Sequence, residues 1–149
     1  MRVLNHVIAV SFMLVFAAAS GFAADREHRV AIHVDQNDPA IMNLALNNAT
    51  NIMEEYKSRG ETVQIEVVAY GPGLHMLRTD TSPVQDRLKQ IVDMSFPSSI
   101  KFSACENTRQ RMEKQEGKAI SVVSQAQPVP SGVVRLIELQ EQGWSYVRP

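Results

Sequence analysis

The chain has 149 residues, 15 of them basic against 16 acidic, for a net charge of −1. That balance, with no basic run, excludes charge-driven attraction to nucleic acid or to an anionic membrane surface. A single cysteine excludes an intramolecular disulfide, and the length allows one sizeable core but not two.

Met1-Arg2 supplies one positive charge, Val7 to Phe16 is apolar apart from Ser11, and mostly small residues follow to Ala24. This order predicts a secretory signal peptide over residues 1–23. Cleavage after Ala23 puts Gly21 and Ala23 at the two positions that must be small; cleavage after Ala24 would put Phe22 at the outer one. The apolar run is shorter than the ~20 residues that span a bilayer. The expected mature chain, 24–149, is one domain, periplasmic or secreted, with no membrane segment after cleavage. Without Arg2 the 15 basic residues become 14 against 16 acidic ones, a net charge of −2.

Arg29–Val34 reads as a β-branched first strand, after a frayed start that includes His28. Asp38 is placed to cap a helix, with Pro39 at its first position. Met42, Ala45, Leu46, Ala49, Ile52, Met53 and Tyr56 repeat at three- and four-residue steps, giving one apolar face. Gly60 is the expected left-handed stop. Asn43, Asn47, Asn48 and Asn51 are unusual in a helix, and Asn47 and Asn51, one turn apart, are expected to bond a loop or another subunit.

Thr62–Tyr70 is a second strand, alternating at first and then continuously apolar, as a strand covered on both faces would be. Gly71-Pro72-Gly73 ends it, and Leu74–Leu77 suggest a short helical turn. Ser82-Pro83-Val84-Gln85 matches a capping box opening a helix through Val84, Leu88, Ile91 and Val92. Phe96-Pro97 stops that helix. Ile100–Ala104 is a third strand, and Glu106-Asn107-Thr108 begin a helix with Met112 facing in. Ala119–Ser124 reads as a fourth strand and Gln125–Pro130 as a loop. Ser131 then caps a helix through Val133, Leu136, Ile137 and Gln140, Gly143 ends it, and Trp144–Val147 form a last strand.

Strand and helix thus alternate five times, which predicts an α/β fold: a three-layer α/β/α sandwich with a mainly parallel sheet of about five strands. In such a sheet ligands bind at the carboxyl ends of the strands. That edge collects His33, then Gly71, Gly73 and His75, then Cys105, Asn107 and Thr108. Cys105 sits where a strand hands over to a helix, a position whose unpaired N–H groups favour a thiolate. Two readings stay open for it: a nucleophilic or sulfur-carrying thiolate assisted by His33 or His75, and a small buried packing residue. The adjacent Glu106 carboxylate works against the thiolate. No metal-ligand spacing, phosphate loop, G-x-S-x-G or Rossmann glycine pattern occurs, so neither a metal nor a cofactor is expected.

The segments HVDQNDPAIMNLALNNATNIMEE, IEVVAYGPGLHML, IKFSACENT and VPSGVVRLIELQEQGWSYVRP, in that order, resemble the exported branch of the DsrE/DsrF-like family. The likeness runs from about Arg29 to the end. It implies a compact α/β/α domain forming homo-oligomers, often trimers or hexamers. In its best-understood members a cysteine carries persulfide sulfur between partner proteins. Cys105 matches the cysteine of exported relatives, and His33, Asn48 and Gly71 fall on recurrent positions of the pattern. The relay members work in the cytoplasm, whereas this chain carries an export signal.

Two functions follow as expectations. One is sulfur handling through Cys105, with His33 or His75 steadying charge and a sulfur-donor or acceptor protein as partner. The other is a non-catalytic oligomer that binds a small ligand or partner through Asn48, Gly71, Gly73, Asn107 and Thr108. A buried Cys105 sulfur favours the second, and an exposed one beside His33 or His75 favours the first.

Overall fold

A computed structural model describes residues 28–149. The expected signal peptide, residues 1–23, lies outside the described residues. The elements run β1 (His28–Val34), α1 (Pro39–Ser58), β2 (Val63–Ala69), a 3-10 helix (Gly71–Leu77), α2 (Gln85–Asp93), β3 (Ser99–Cys105), α3 (Glu106–Glu116), β4 (Ala126–Val129), α4 (Gly132–Glu141) and β5 (Ser145–Val147). All neighbouring strands pair parallel, in the order β4-β3-β2-β1-β5. The chain is an α/β protein with a five-stranded parallel sheet.

Alternation along each strand divides the side chains between the two faces. Ile32 and Val34, Ile65 and Val67, and Ile100 and Phe102 join the main core beneath α1 and α2. Phe102 and Ile32 are fully buried, and each such side chain contributes roughly 1.5–3 kcal/mol. The opposite face carries Ala31 and Val68, which pack on Leu136 and Leu139 of α4. Among the described residues only this helix, 10 residues long, covers that face. It also carries the chain from one edge of the sheet, β4, to the other, β5.

Several local expectations hold. The Asp38 side chain accepts from the Ala40 amide at 2.7 Å, capping α1. Gly60 has φ +73°, the left-handed geometry that closes the helix. β2 is buried continuously from Ile65 to Ala69.

Four expectations are corrected. Ala119–Ser124 is not a strand; it makes one antiparallel bridge, Arg78 with Val122, and the edge strand is Ala126–Val129. Ile120 and Val123 are buried as a strap against the 3-10 segment, with the Val123 amide donating to Leu77 O at 2.9 Å. Pro128 is tolerated in β4 because that strand is at the sheet edge. The Ser82 capping box does not form: α2 starts at Gln85 behind Val84, while the Ser82 hydroxyl donates to Met76 O. The Gln85 side chain instead donates to Thr79 O. His28 is not frayed; it belongs to β1 and stacks on Tyr56 with centroids 4.0 Å apart. Asn47 finds its partner within the chain on a helix and not on a loop: Arg87 of α2 donates to the side chains of Asn43 and Asn47.

Candidate functional site

β3 and β4 are neighbours whose chains leave in opposite directions. After β3 the chain enters α3, which packs on the main core through Met112; after β4 it enters α4 on the other face. Such a divergence opens a crevice at the carboxyl ends of the two strands. Cys105 ends β3 there, paired in register with Val129 of β4. A surface cavity of about 420 Å³ lies beside it, bounded by Glu106, Asn107, Gln110 and Pro128–Pro130.

Cys105 is only 4% exposed and is the N-cap residue of α3, with no side-chain cap bond. Its acidic neighbour is held elsewhere: the Glu106 carboxylate accepts from Arg109 Nε at 2.8 Å and from Gln110 at 3.0 Å. The Arg109 bonds hold the Glu106 carboxyl down at about 2, so it stays ionised but paired. The opposition between Glu106 and a thiolate, expected from sequence, is therefore partly cancelled by Arg109.

Next along the edge on the same face come Tyr70, His33 and Tyr146. His33, 6% exposed, stacks on Tyr70 with centroids 4.7 Å apart and 18° between planes. Its Nδ1 is 2.7 Å from the Tyr146 hydroxyl, and its Nε2 has no hydrogen-bond partner among the described residues. Asp35 Oδ2 is 3.9 Å from Nε2 and accepts from Arg148 at 2.8 Å. Burial lowers the His33 pKa, Asp35 opposes that, and Arg148 adds to it. The Tyr70 phenol is pushed up, first by burial, then by Asp35 and Tyr146, with the Cys105 thiol a smaller contribution. Cys105, Tyr70, His33 and Tyr146 thus stand in a row at the carboxyl edge, with Tyr70, His33 and Tyr146 joined by the ring stack and the His33–Tyr146 contact.

Glycines make this edge compact. A Cβ on Gly73 would lie 2.2 Å from Val34 O, so only glycine lets the 3-10 helix pass over the end of β1. Gly71, at φ +53°, donates its amide to Thr108 Oγ1 at 3.0 Å, tying the glycine turn to the first turn of α3. The Asn107 amide donates to Pro130 O at 3.2 Å, leaving its exposed side chain beside the crevice. Gly71, Gly73, Asn107 and Thr108 therefore support the edge around Cys105 through their backbones and one hydroxyl.

Two expected site residues lie apart from it. His75 is half-buried with Nδ1 2.8 Å from Thr81 Oγ1. Burial and then the Arg78 guanidinium lower its pKa, placing it beside the Arg78–Asp80–Glu116 cluster. Asn48 is half-buried in the middle of α1, in the layer opposite α4.

Sequence reasoning missed a second polar group on the α4 face. Glu66, 2% exposed, accepts from Ser103 Oγ and Arg135 Nε at 2.7 Å each and from Arg135 Nη2 at 2.8 Å. Burial works to raise its pKa, and the Arg135 and Ser103 bonds outweigh it, so the carboxyl ends below its ordinary value. A cavity of about 350 Å³ opens beside this group, between α4 and the uncovered part of β3 and β4. A carboxylate inside an apolar strand was the available signal. Tyr70 and Tyr146 gave none, because the partner of His33 lies 113 residues away.

Among the described residues no three His, Cys, Asp or Glu side chains converge as a metal site would require, and no helix is long and apolar enough to cross a membrane. No family model and no curated protein matches the chain. Among solved structures it is similar to MTH1491, a protein of unknown function from Methanobacterium thermoautotrophicum, with a TM-score of 0.68 and 30% identity; the match covers 83% of this chain and 100% of that one. The chain belongs to the same family as that Methanobacterium protein.

Proposed function

We propose that this is an exported DsrE/DsrF-like protein that assembles with copies of itself and binds a small ligand or a partner at the carboxyl edge of its sheet. The observation that carries this reading is the burial of Cys105, 4% exposed, at an edge whose accessible groups are polar side chains such as Asn107 and Tyr146. Cys105 then acts as packing, and recognition falls to the residues around the β3/β4 crevice. The four matching sequence segments support the family, and apolar side chains left open on α4 support assembly. The test is alkylation of Cys105 by iodoacetamide. Native protein should react far more slowly than protein unfolded in urea; equal rates would overturn the reading.

One observation favours a second reading, sulfur handling through Cys105. The cysteine caps α3, and Arg109 occupies the carboxylate that would oppose a thiolate. This reading requires the native protein to accept a sulfur atom at Cys105.

A further inference from the structure

We propose that the cavity between α4 and the sheet is a receptor for a small organic anion with an apolar body. The inference deepens the binding reading by naming the class of ligand, since the cavity shares Val129 and Pro130 with the crevice at Cys105.

The charges around the cavity decide the sign of the ligand. Glu66 is largely engaged: its two carboxylate oxygens take three hydrogen bonds, one from Ser103 and two from Arg135. The guanidinium is thereby fixed in one orientation, as a bidentate pair does. Its Nη1 keeps only a 3.4 Å contact with Glu138 at the half-exposed rim. Lys101 stands next to Glu66 in the β2–β3 register and lines the cavity, yet makes no ion pair among the described residues. The ammonium of Lys101 and the free edge of Arg135 are thus the donors left for a ligand. Glu66 and Glu138 are the opposing charges, the first already engaged by Ser103 and Arg135 and the second at the exposed rim. A cationic ligand would meet Lys101, whereas an anion adds a close partner to an ammonium that otherwise acts on Glu66 only at longer range.

The remaining lining sets the rest of the molecule. Pro128, Val129, Pro130 and Val134 form an apolar side facing the polar floor. At about 350 Å³ the space is at the small end of ligand pockets, which suits a compact body and not a nucleotide. Benzoate has the required features: one carboxylate for Lys101 and Arg135, and a flat apolar ring for the prolines and valines.

The experiment is an NMR titration of the folded chain with benzoate, benzyl alcohol and benzylamine, which share a ring and differ in charge. Benzoate should shift the amide signals of Lys101, Gln127 and Val134 saturably, and benzylamine should not. A charge-assisted bond exceeds a neutral one by enough to weaken benzyl alcohol at least about tenfold. Lys101→Met should weaken benzoate by a similar factor, Lys101→Arg should restore it, and Glu138→Gln should tighten it. Equal binding of the three probes, an unchanged affinity in Lys101→Met, or no saturable shift with benzoate overturns the inference. The binding reading itself stands or falls separately, on the alkylation of Cys105.

Discussion

The rings of His33 and Tyr70 stack 4.7 Å apart although the β1–β2 register pairs His33 with Val68, two residues before Tyr70. The side chains close that offset by leaning along the strands, and Gly132 of α4 leaves the space the Tyr70 ring occupies. The stack shields the imidazole from water and links the thiol end of the edge to the tyrosine of β5.

Gly132→Ala tests that fit. Within a helix, alanine is ordinarily preferred over glycine by about 1 kcal/mol. Here the added Cβ would lie 2.8 Å from both Cβ and Cδ1 of Tyr70. Overpacking of this kind costs about 1–3 kcal/mol, so urea denaturation should show net destabilisation. In a Tyr70→Gly background, which removes both Cβ and Cδ1, the same change should become neutral or stabilising, because its obstacles are gone.

His33 should give stability a pH dependence. Its folded pKa lies below the ordinary 6.5, so the unfolded chain takes up a proton first as pH falls. Its contribution is complete above about pH 6.5, declines as pH drops toward the folded value, and levels off below that. His75 is shifted the same way and adds to the effect. Denaturation of the native chain and His33→Gln at pH 7 and pH 5 should show the smaller loss in the variant, and NMR titration should place the His33 ring below 6.5.

Glu66→Gln should destabilise the chain. The amide cannot accept from Ser103 and both Arg135 donors as the carboxylate does. Losing one partner of a buried pair costs about 3–5 kcal/mol. Arg135 is 28% exposed, so water recovers part of that, and about 2–3 kcal/mol is expected. The lowered Glu66 pKa means its contribution is present above the ordinary carboxyl range and is lost as pH falls through the folded value. Acid denaturation of native and variant protein should therefore converge at low pH.

Assembly should depend on α4. Val133 and Ile137 are each 50% exposed although they belong to a helix that buries Leu136 and Leu139. Val133→Glu with Ile137→Glu should convert the expected trimer or hexamer into single chains by light scattering, with an unfolding temperature that no longer depends on protein concentration. An unchanged mass would place the interface elsewhere.

Local chemistry made much of the fold legible. Asp38-Pro39 opens α1, Gly60 closes it, and the continuous apolar run of β2 announces a covered strand. The fourth strand was misplaced because Ile120, Val122 and Val123 have the β-branched character of a strand, while Pro128 hides the real one. What separated them was tertiary: the Leu77–Arg78 segment captures the first run, and the free sheet edge admits the proline. The site was legible in the same measure. Parallel strands brought His33 and Cys105 to one edge, but the 3-10 turn carries His75 to the Arg78 cluster. The tyrosines of His33 and the Glu66–Arg135 pair depend on contacts between distant segments, which no local pattern encodes.

The most direct test of the central claim, recognition at this edge without thiol chemistry, is intact mass spectrometry of native protein incubated with polysulfide under non-reducing conditions. The account predicts no added sulfur on native protein, and adducts at Cys105 only after unfolding. Stoichiometric addition of sulfur to the native chain, abolished by Cys105→Ser, would contradict it.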